Sequence, residues 1–411
     1  MLPKISRYLL VALGVVTLAY ILPSVYHTLF DTRINPVNIT YSELKKDYLV
    51  MQVIDGKPAF IDRKKKVYNQ QEFMEATPIT NYWYHLSKGT MPDSFAGVKL
   101  IPQVLQRESF WGYNQPEILY APVYGLYPLF ESRPEFGLRY PTDMFRINTR
   151  MEFIDAKTNT INEAKTKLFT DHINKEGFAY PAKIIAGLPT LMKRKDEGWF
   201  IVDAKEQLFH IVMVKGEPYV KKIQNPGGIR FKHIICNDYD SGEFFATIIS
   251  ADNKVYVLNK ADYSTTQFPI EGYDPEHQVM MFTGNQFNKT ITLMDEKGSK
   301  VVTVDRQYKV IGQITELLPL KSEMVIGKVF NFIFPFHLTL DSPDSSFITM
   351  SAERSATYGW IILNLVLLVL TIIFIRREGK AMKNSILDLI IVAVTGIFGF
   401  LAVHIVPNKQ Y

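Results

Sequence analysis

The sequence predicts a mainly β protein: a propeller-like domain with an aromatic- and proline-rich insertion, joined to three transmembrane α-helices. Three observations predict this class. Apolar segments long enough to cross a membrane lie only near the two ends of the chain. Between them, apolar and polar residues alternate with a period of two, which is typical of strands. Short Asp-x-Lys motifs recur between these strands at a spacing close to that of propeller blades.

The apolar segments divide the chain into three parts. The first is uncharged and runs from about Tyr8 to Tyr26, and two more lie at about Trp360–Ile375 and Ile386–Val406. A helix needs about 20 mostly apolar residues to cross the hydrocarbon core. We therefore expect one N-terminal and two C-terminal spans, in three regions: an anchor at 1–26, an extracytoplasmic β-rich domain at 27–358 and a membrane hairpin at 359–411.

Basic residues beside the segments predict their orientation. They precede the first segment or lie between the second and third: Lys4, Arg7, Arg376, Arg377, Lys380 and Lys383. By the positive-inside rule these parts face the cytoplasm, so the N-terminus lies inside while the large domain and the C-terminus lie outside. A cleaved signal peptide is the alternative for the first segment, but no small-x-small cleavage site follows it.

Composition narrows the function further. Outside the membrane flanks, acidic and basic residues are equal in number, so the net charge of +5 belongs to the flanks. A neutral domain offers no electrostatic basis for binding nucleic acid. A single cysteine excludes an internal disulfide, and the apolar stretch around Cys236 predicts a structural core residue.

The Asp-x-Lys motifs mark the turns of predicted hairpins. Asp accepts hydrogen bonds from its own turn, and Lys keeps the turn solvated. After a first motif at Asp55, four more follow at intervals of 48, 49 and 43 residues: Asp155, Asp203, Asp252 and Asp295. The hairpins are clearest at 199–214, 244–259 and 290–305. This spacing favours a propeller of about four to seven blades, and an irregular stack of similar sheets is the alternative.

Three segments depart from that repeat. Residues 41–49 predict a helical turn before a hairpin at 51–62, and residues 331–350 predict a last hairpin. Residues 80–146 are rich in aromatic residues and proline, which predicts ordered loops packed on the sheets. Aromatic side chains lose little entropy on binding, so we also expect a partner or ligand surface at Trp83, Trp111, Tyr113 and Tyr124. The alternative is that they fill a core.

No motif indicates catalysis. The eight histidines are scattered, and no zinc pair, nucleophile elbow, P-loop or dinucleotide fingerprint is present. Residues 237–243 resemble a calcium loop, but Gly242 falls in the wrong register, so we expect a turn. These observations disfavour an enzyme, and we predict no catalytic residue, cofactor or metal.

The third apolar segment carries candidate docking residues. Asp388 lies in its first turn, where it either favours the helix N-terminus or contacts another membrane subunit. Small residues at Ala393, Gly396, Gly399 and Ala402 would let another helix approach closely. Either the second segment or another protein is that helix, so we expect intramembrane docking at Asp388, Gly396 and Gly399.

Three strings resemble an uncharacterised family of Bacteroidota membrane-anchored envelope proteins: GTMPDSFAG (89–97), YPLFESRPEFGLRYPTDMFRI (127–147) and MEFIDAKTNTINEAKT (151–166). The layout of anchor, β-rich domain and membrane hairpin is also similar. Members of that family accompany ABC-transporter components. The resemblance therefore implies an accessory role beside an ABC permease at the bacterial inner membrane, with the large domain in the periplasm, and it implies no functional residues.

These expectations combine into a non-enzymatic, membrane-anchored periplasmic binding protein, auxiliary to an ABC-type transporter complex. Its predicted contacts are the lipid bilayer and a membrane-protein partner, without nucleic acid. The alternative is a membrane-tethered periplasmic hydrolase or sugar-active propeller enzyme with its site in the central channel.

Overall fold

The computed structural model describes residues 2–30, 38–54, 57–193, 195–225, 227–238, 242–318, 320–341 and 348–408. The chain divides into two compact units. Residues 37–316 form the larger unit, which is mainly β. Residues 1–36 and 317–411 form the smaller unit, so the segment 317–358, assigned above to the β domain, belongs with the apolar helices.

The larger unit begins with small antiparallel sheets. The first has the order β1-β2-β3-β4, at Ile39–Ser42, Asp47–Ile54, Lys57–Asp62 and Val67–Tyr68. A two-stranded hairpin follows at Ser94–Phe95 (β5) and Val98–Lys99 (β6). After the strand Phe110–Asn114 (β7), a three-stranded sheet has the order β10-β9-β8, with β8–β10 at Tyr127–Pro128, Asp143–Ile147 and Met151–Asp155.

Three meanders of four strands complete the unit. The first, β11–β14, comprises Ile184–Gly187, Trp199–Val202, Leu208–Val214 and Glu217–Ile223. The second, β15–β18, comprises Phe231–Cys236, Phe244–Ser250, Val255–Asn259 and Thr265–Gln267. The third, β19–β22, comprises Val279–Gly284, Lys289–Asp295, Gly298–Val304 and Val310–Leu317, and β7 joins it beside β19. Among the described residues, none of these sheets closes into a barrel.

The larger unit also contains five short helices among its described residues. They lie at Gln70–Ala76, Tyr82–Lys88, Pro102–Glu108, Pro116–Leu119 and Glu163–Lys175. Asn69 and Glu72 form a capping box that starts the helix Gln70–Ala76, because each side chain accepts from the other's backbone amide. The helix Glu163–Lys175 was not predicted from the sequence. It buries Phe169 and Ile173 in a core shared with Phe153 and Trp199.

The structure confirms the three clearest hairpins. Their turns follow from the motif, since the Asp203 carboxylate accepts the Lys205 amide at 2.8 Å and the Asp295 carboxylate accepts the Lys297 amide at 2.7 Å. Asp252 lies in the turn between β16 and β17. The turn at Asp155 instead leads toward a helix, and Asp55 lies outside the described residues.

The helical turn predicted at 41–49 is wrong. That segment forms β1, a tight turn and the start of β2, with Tyr41 opposite Tyr48. The two rings lie 5.3 Å apart in a core cluster with Val50 and Val301, so cross-strand packing outweighs the local pattern. The aromatic segment 80–146 is also more regular than expected, because it supplies β7 to the last sheet.

The smaller unit contains the apolar helices. Its helices lie at Leu2–Phe30, Val325–Ile333, Trp360–Arg377, Ile386–Thr395 and Ile397–Ile405, with short 3₁₀ turns at Lys321–Glu323 and Met382–Ser385. Two are long and apolar enough to span a membrane: Lys4–Phe30 and Trp360–Arg377, each with a mean hydropathy of 2.1. The predicted last hairpin is present as Phe336–Asp341 (β23) and Thr349–Arg354 (β24), and its turn at 342–347 lies outside the described residues.

The predicted third span takes a different form. The chain breaks at Gly396, where φ is 59° and ψ is −127°, and two short helices replace one continuous helix. The start of the first short helix and the end of the second lie close together, because Arg7 contacts both. It donates to Asp388 at 2.7 Å and to the Val406 carbonyl at 2.9 Å. Each short helix is about 15 Å long, roughly half of the hydrocarbon core. The segment therefore folds back on itself instead of running in one direction.

Candidate ligand-binding cavity

The larger unit contains a cavity of about 530 Å³, lined by residues of β1, β7, β19, β20 and the segment that includes the helix Gln70–Ala76. None of the described residues that line it is charged. Most carry amide or hydroxyl groups, including Asn38, Thr40, Asn81, Thr283, Asn288 and Thr292. Cavities of roughly 300–1,000 Å³ with a few converging polar groups are typical of small-molecule sites.

One wall of the cavity is a face of the last sheet. Trp111, Thr283 and Thr290 are directly opposite one another on β7, β19 and β20. Opposite residues of antiparallel strands point to the same face, so these three side chains form a row. Phe110 is a buried residue of β7 and lies opposite Gly284 on β19. A Cβ atom added at Gly284 would lie 2.4 Å from the Phe110 ring. A side chain at 284 would therefore push β7 out of place.

Trp111 and Tyr113 form an aromatic surface at this edge. Their rings are nearly parallel, with an interplanar angle of 10° and a centroid separation of 5.9 Å. Trp111 lines the cavity and remains 63% exposed, so a flat indole face is available to a ligand. The alternation of β7 explains this arrangement, because Phe110, Gly112 and Asn114 are buried while the two aromatic residues between them are exposed.

A buried carboxyl group holds two of the cavity amides. Glu43 is 6% exposed, and one of its oxygens accepts the Asn285 amide at 2.8 Å and the Asn288 amide at 2.9 Å. Burial raises the pKa of Glu43, while the two amide hydrogen bonds oppose that rise. Glu43 lies in the turn after β1 and the asparagines lie in the turn between β19 and β20. The carboxyl group therefore joins two turns and fixes the orientation of both amides.

Threonines of β20 add hydroxyl groups. Thr290 bonds to Thr303 at 2.9 Å, and the Tyr48 hydroxyl donates to Thr303 at 2.9 Å. Burial raises the pKa of Tyr48 to about 12, so this chain of hydroxyls stays neutral. Thr292 is 2% exposed, and its hydroxyl has no hydrogen-bond partner among the described residues. The cavity thus offers fixed neutral donors and acceptors, the chemistry of recognition.

The four aromatic residues predicted as a surface are only partly together. Trp111 and Tyr113 lie side by side, and Trp111 lines the cavity. Trp83 is 61% exposed on the helix Tyr82–Lys88, close in sequence to the lining residue Asn81 but not itself part of the lining. Tyr124 is 69% exposed in the loop before β8. Binding at all four residues stays a prediction.

Sequence reasoning missed the polar residues of the cavity. Asn285, Asn288, Thr290 and Thr292 follow one another within eight positions of a predicted hairpin. A run of amides and β-branched hydroxyls at the start of a strand is a usable signal for a polar site. Glu43 gave no such signal, because its partners are more than 240 positions away.

The predicted docking residues make contacts within the smaller unit. Both carboxylate oxygens of Asp388 accept from Arg7, at 2.7 and 3.1 Å. An added Cβ at Gly396 would lie 2.1 Å from the Asn364 side chain, and one at Gly399 would lie 2.3 Å from the Thr395 hydroxyl. These glycines are buried. Docking of this region on another membrane protein stays a prediction.

No described group of three or more His, Cys, Asp or Glu residues is placed to hold a metal ion. The resemblance of 237–243 to a calcium loop falls partly outside the described residues, since 239–241 are not among them. Cys236 ends β15, and burial raises the pKa of its thiol to about 12. The thiolate is therefore scarce at neutral pH, as expected for a structural cysteine.

The family model described as "Domain of unknown function (DUF4857)" matches residues 38–304. The chain belongs to this family. The DUF4857 domain begins at Asn38, which lines the cavity, and contains every other lining residue. The predicted resemblance to an uncharacterised family is confirmed to this extent. A comparison with curated proteins found no match.

Proposed function

We propose that this chain is a membrane-anchored, extracytoplasmic binding protein that acts as an auxiliary component of an ABC-type transporter complex. The observation that carries the binding function is the uncharged cavity within the DUF4857 domain. Two helices of membrane-spanning length in the same chain support the anchor. The ABC partner, the Bacteroidota origin and the inner-membrane location rest on the sequence resemblance.

The smaller unit supports the proposed orientation. Arg7 near one end of the first helix and Arg377 at the end of Trp360–Arg377 predict cytoplasmic ends by the positive-inside rule. At the other end of the first helix, the Tyr26 hydroxyl donates to the Ile326 carbonyl at 2.9 Å. The helix Val325–Ile333 exposes Val325, with an exposed fraction of 77%, and also Val329 and Phe332. An amphipathic helix of this kind suits the membrane–water interface on the extracytoplasmic side.

The meanders β11–β14, β15–β18 and β19–β22 support a propeller as the arrangement of the domain. Each is a four-stranded antiparallel sheet in sequential order, as a propeller blade is. We propose that these meanders are blades, and that the cavity lies beside the last of them.

Recovery of a membrane partner tests the accessory role. The full chain, expressed in a bacterium that carries its natural neighbours, is purified in mild detergent, and we expect a permease or another membrane protein to co-purify. Ala393, an exposed small residue of the segment that folds back, is the docking probe: Ala393→Phe is expected to reduce recovery of the partner. Ile362→Phe, at an exposed position of Trp360–Arg377, is the matched control. Purification of the chain alone under every condition refutes the accessory role.

We favour binding over the alternative, a tethered hydrolase or sugar-active propeller enzyme, for a chemical reason. Hydrolysis needs a nucleophile, a carboxylate pair or a metal-bound water at the ligand. The described lining residues include hydroxyls such as that of Ser109, but no histidine, lysine or carboxylate that could activate a hydroxyl or a water. The Glu43 carboxyl group, which contacts two lining residues, is engaged by their asparagine amides.

A further inference from the structure

We propose that the DUF4857 cavity binds a neutral saccharide. This inference rests on the proposed binding function and specifies the chemical class of its ligand. Four features of the cavity carry it: its uncharged lining, its exposed aromatic face, its fixed amides and its volume.

The uncharged lining selects against ionic ligands. A phosphate, carboxylate or ammonium group bound away from water needs an opposite charge or several charge-assisted hydrogen bonds. Apart from the Trp111 indole, the polar side chains of the described lining residues are amides and hydroxyls, among them Asn38, Asn81, Thr283 and Asn288. Amides and hydroxyls each combine donor and acceptor capacity, as sugar hydroxyls do. The two sets of groups therefore match in kind.

The aromatic edge supplies the apolar half of sugar recognition. One face of a pyranose ring presents C–H groups with partial positive charge, and the face of an aromatic ring is negative. Trp111 is 63% exposed and lines the cavity, and the Tyr113 ring is nearly parallel to it with the centroids 5.9 Å apart. A sugar ring on the indole would bring its hydroxyls toward Thr283 and Thr290, which lie in the same row.

The polar groups are held in place before a ligand arrives. Glu43 accepts from both Asn285 and Asn288, so neither amide is free to rotate without losing a hydrogen bond to a buried carboxyl group. Fixed groups lower the entropy cost of binding. A volume of about 530 Å³ is too large for an ion and suits a short oligosaccharide.

An extended peptide is the competing class of ligand, because β7 is an edge strand. A peptide would bind mainly through the strand backbone. The cavity presents side-chain amides, hydroxyls and an aromatic face, so the observations favour a saccharide.

The test measures binding to the full chain in lipid nanodiscs, because glycoside detergents carry the proposed ligand chemistry themselves. The probes are neutral oligosaccharides (maltotriose, cellotriose, mannotriose and chitotriose), the charged sialyllactose, and a neutral tetrapeptide. Saturation-transfer NMR detects binding, and titration gives the dissociation constant. We expect at least one neutral oligosaccharide to bind, and sialyllactose and the peptide not to compete.

Variants assign the binding to the cavity. Trp111→Ala is expected to weaken binding at least tenfold, and Thr283→Val several-fold, because it removes a hydroxyl without changing shape. Phe136→Ala, which removes an exposed aromatic ring outside the lining and outside the predicted aromatic surface, is expected to leave binding unchanged. An unchanged melting temperature excludes misfolding as the cause.

The saccharide proposal is overturned if no neutral oligosaccharide binds, or if binding is unaffected by Trp111→Ala. Competition by the peptide that depends on Trp111 also overturns it, but leaves the cavity as a binding site and the proposed function intact. Failure of the accessory role shows separately, as the absence of a co-purified partner.

A second inference rests on different residues. We infer that the C-terminus lies on the same side of the membrane as the N-terminus. Arg7, at the start of the first helix, contacts both Asp388 and the Val406 carbonyl, at opposite ends of the segment that folds back. The Asn408 side chain donates to the Asn384 carbonyl at 3.1 Å, which joins the same two ends.

The middle of this segment lies deeper among the helices. Phe398 stacks on Phe334 with centroids 5.7 Å apart, and the Asn364 amide donates to the Ala393 carbonyl at 3.3 Å. A Cβ atom added at Gly14 would lie 3.4 Å from the Cβ atom of Ala402. The helix Ile397–Ile405 therefore packs along the first helix. The segment therefore enters the membrane and returns, which replaces the periplasmic C-terminus expected from a third span.

Cysteine labelling tests this topology. With Cys236→Ala as background, single cysteines are placed at Lys4, Tyr358 and Asn408 in the full chain and exposed to a membrane-impermeant maleimide in spheroplasts. We expect Lys4→Cys and Asn408→Cys to react only after lysis, and Tyr358→Cys to react before it. Labelling of Asn408→Cys together with Tyr358→Cys overturns the inference.

Discussion

One buried histidine should make the larger unit less stable in acid, because it binds a proton more readily in the unfolded chain than in the folded one. His210 on β13 is 3% exposed, and its ring stacks on Phe200 at a centroid distance of 4.3 Å. One ring nitrogen faces the Glu197 carbonyl and therefore carries the proton, while the other lies 2.9 Å from the Tyr263 hydroxyl and accepts from it. Both nitrogens are satisfied in the neutral ring.

Burial lowers the pKa of His210 to about 4. An unfolded histidine has a pKa of about 6.5. Above that pH both states are neutral and the histidine makes no difference to stability. As the pH falls toward 4, the unfolded chain binds a proton that the folded chain does not, so the folded state loses about 2 kcal/mol at pH 5 and about 3 kcal/mol at pH 4.

Such a loss is a large part of a typical free energy of unfolding, about 5–15 kcal/mol. The assay is urea denaturation of the full chain in detergent between pH 7 and 5, followed by tryptophan fluorescence, since Trp199 is buried in the larger unit. His210→Gln keeps a donor for the Glu197 carbonyl and does not titrate. We expect the variant to lose about 2 kcal/mol less than the wild type across this range.

An exposed residue that does not titrate provides the control. Met192→Gln, at a side chain that is 92% exposed, should keep the pH dependence of the wild type. The reasoning is refuted if wild type and His210→Gln lose stability in parallel between pH 7 and 5.

Three further sets of substitutions test contacts within the two units. Arg7→Ala or Asp388→Ala leaves a buried charge unpaired, so each should lower the free energy of unfolding by about 3–5 kcal/mol, measured by thermal unfolding. The double variant should lose less than the sum of the two single losses. Strictly additive losses would contradict the pairing. Glu43→Ala leaves two amides unpaired and should lower the free energy of unfolding by about 1–3 kcal/mol for each amide. Glu43→Gln keeps the acceptor oxygen, so its stability in urea denaturation should match or exceed that of the wild type. Equal losses in the two variants would argue against the contacts. Gly396→Ala should lower the melting temperature more than Gly379→Ala, because both glycines have positive φ but only Gly396 has a side chain within 2.1 Å of an added Cβ; equal effects would mean that strain alone matters.

Alternation along the chain predicted the hairpins because each has a strand with a buried face. In β20, for example, Ile291 and Leu293 alternate with threonines and lie in the core. The same local reasoning failed at 41–49, where apolar spacing resembles a helix. The decisive contact there is the pairing of Tyr41 with Tyr48 across a turn, and a local pattern does not show which partner a side chain meets.

The cavity depends on contacts between distant parts of the chain. Trp111 was predicted as a surface residue from its type alone, and β7 then places it opposite Thr283 on a strand far along the chain. Glu43 has no functional signature in the sequence. Its role in the cavity is to accept hydrogen bonds from Asn285 and Asn288, and these residues come close to it only in the folded chain.

Hydropathy predicted three apolar segments but not the path of the last one. Composition measures how apolar a segment is, and residues 389–403 are almost entirely apolar. The reversal depends on the conformation at Gly396 and on Arg7, which ties both ends of the segment together. A glycine within an apolar run is common in membrane helices, so it did not by itself indicate a break.

The central claim is that the cavity-bearing DUF4857 domain works outside the cytoplasm while the chain is anchored in the membrane. Met192 is 92% exposed in the larger unit, and Lys4 lies at the start of the first helix. In a Cys236→Ala background, a membrane-impermeant maleimide applied to spheroplasts should label Met192→Cys at once and Lys4→Cys only after lysis. Labelling of Lys4→Cys before lysis, with Met192→Cys protected until lysis, would contradict the account.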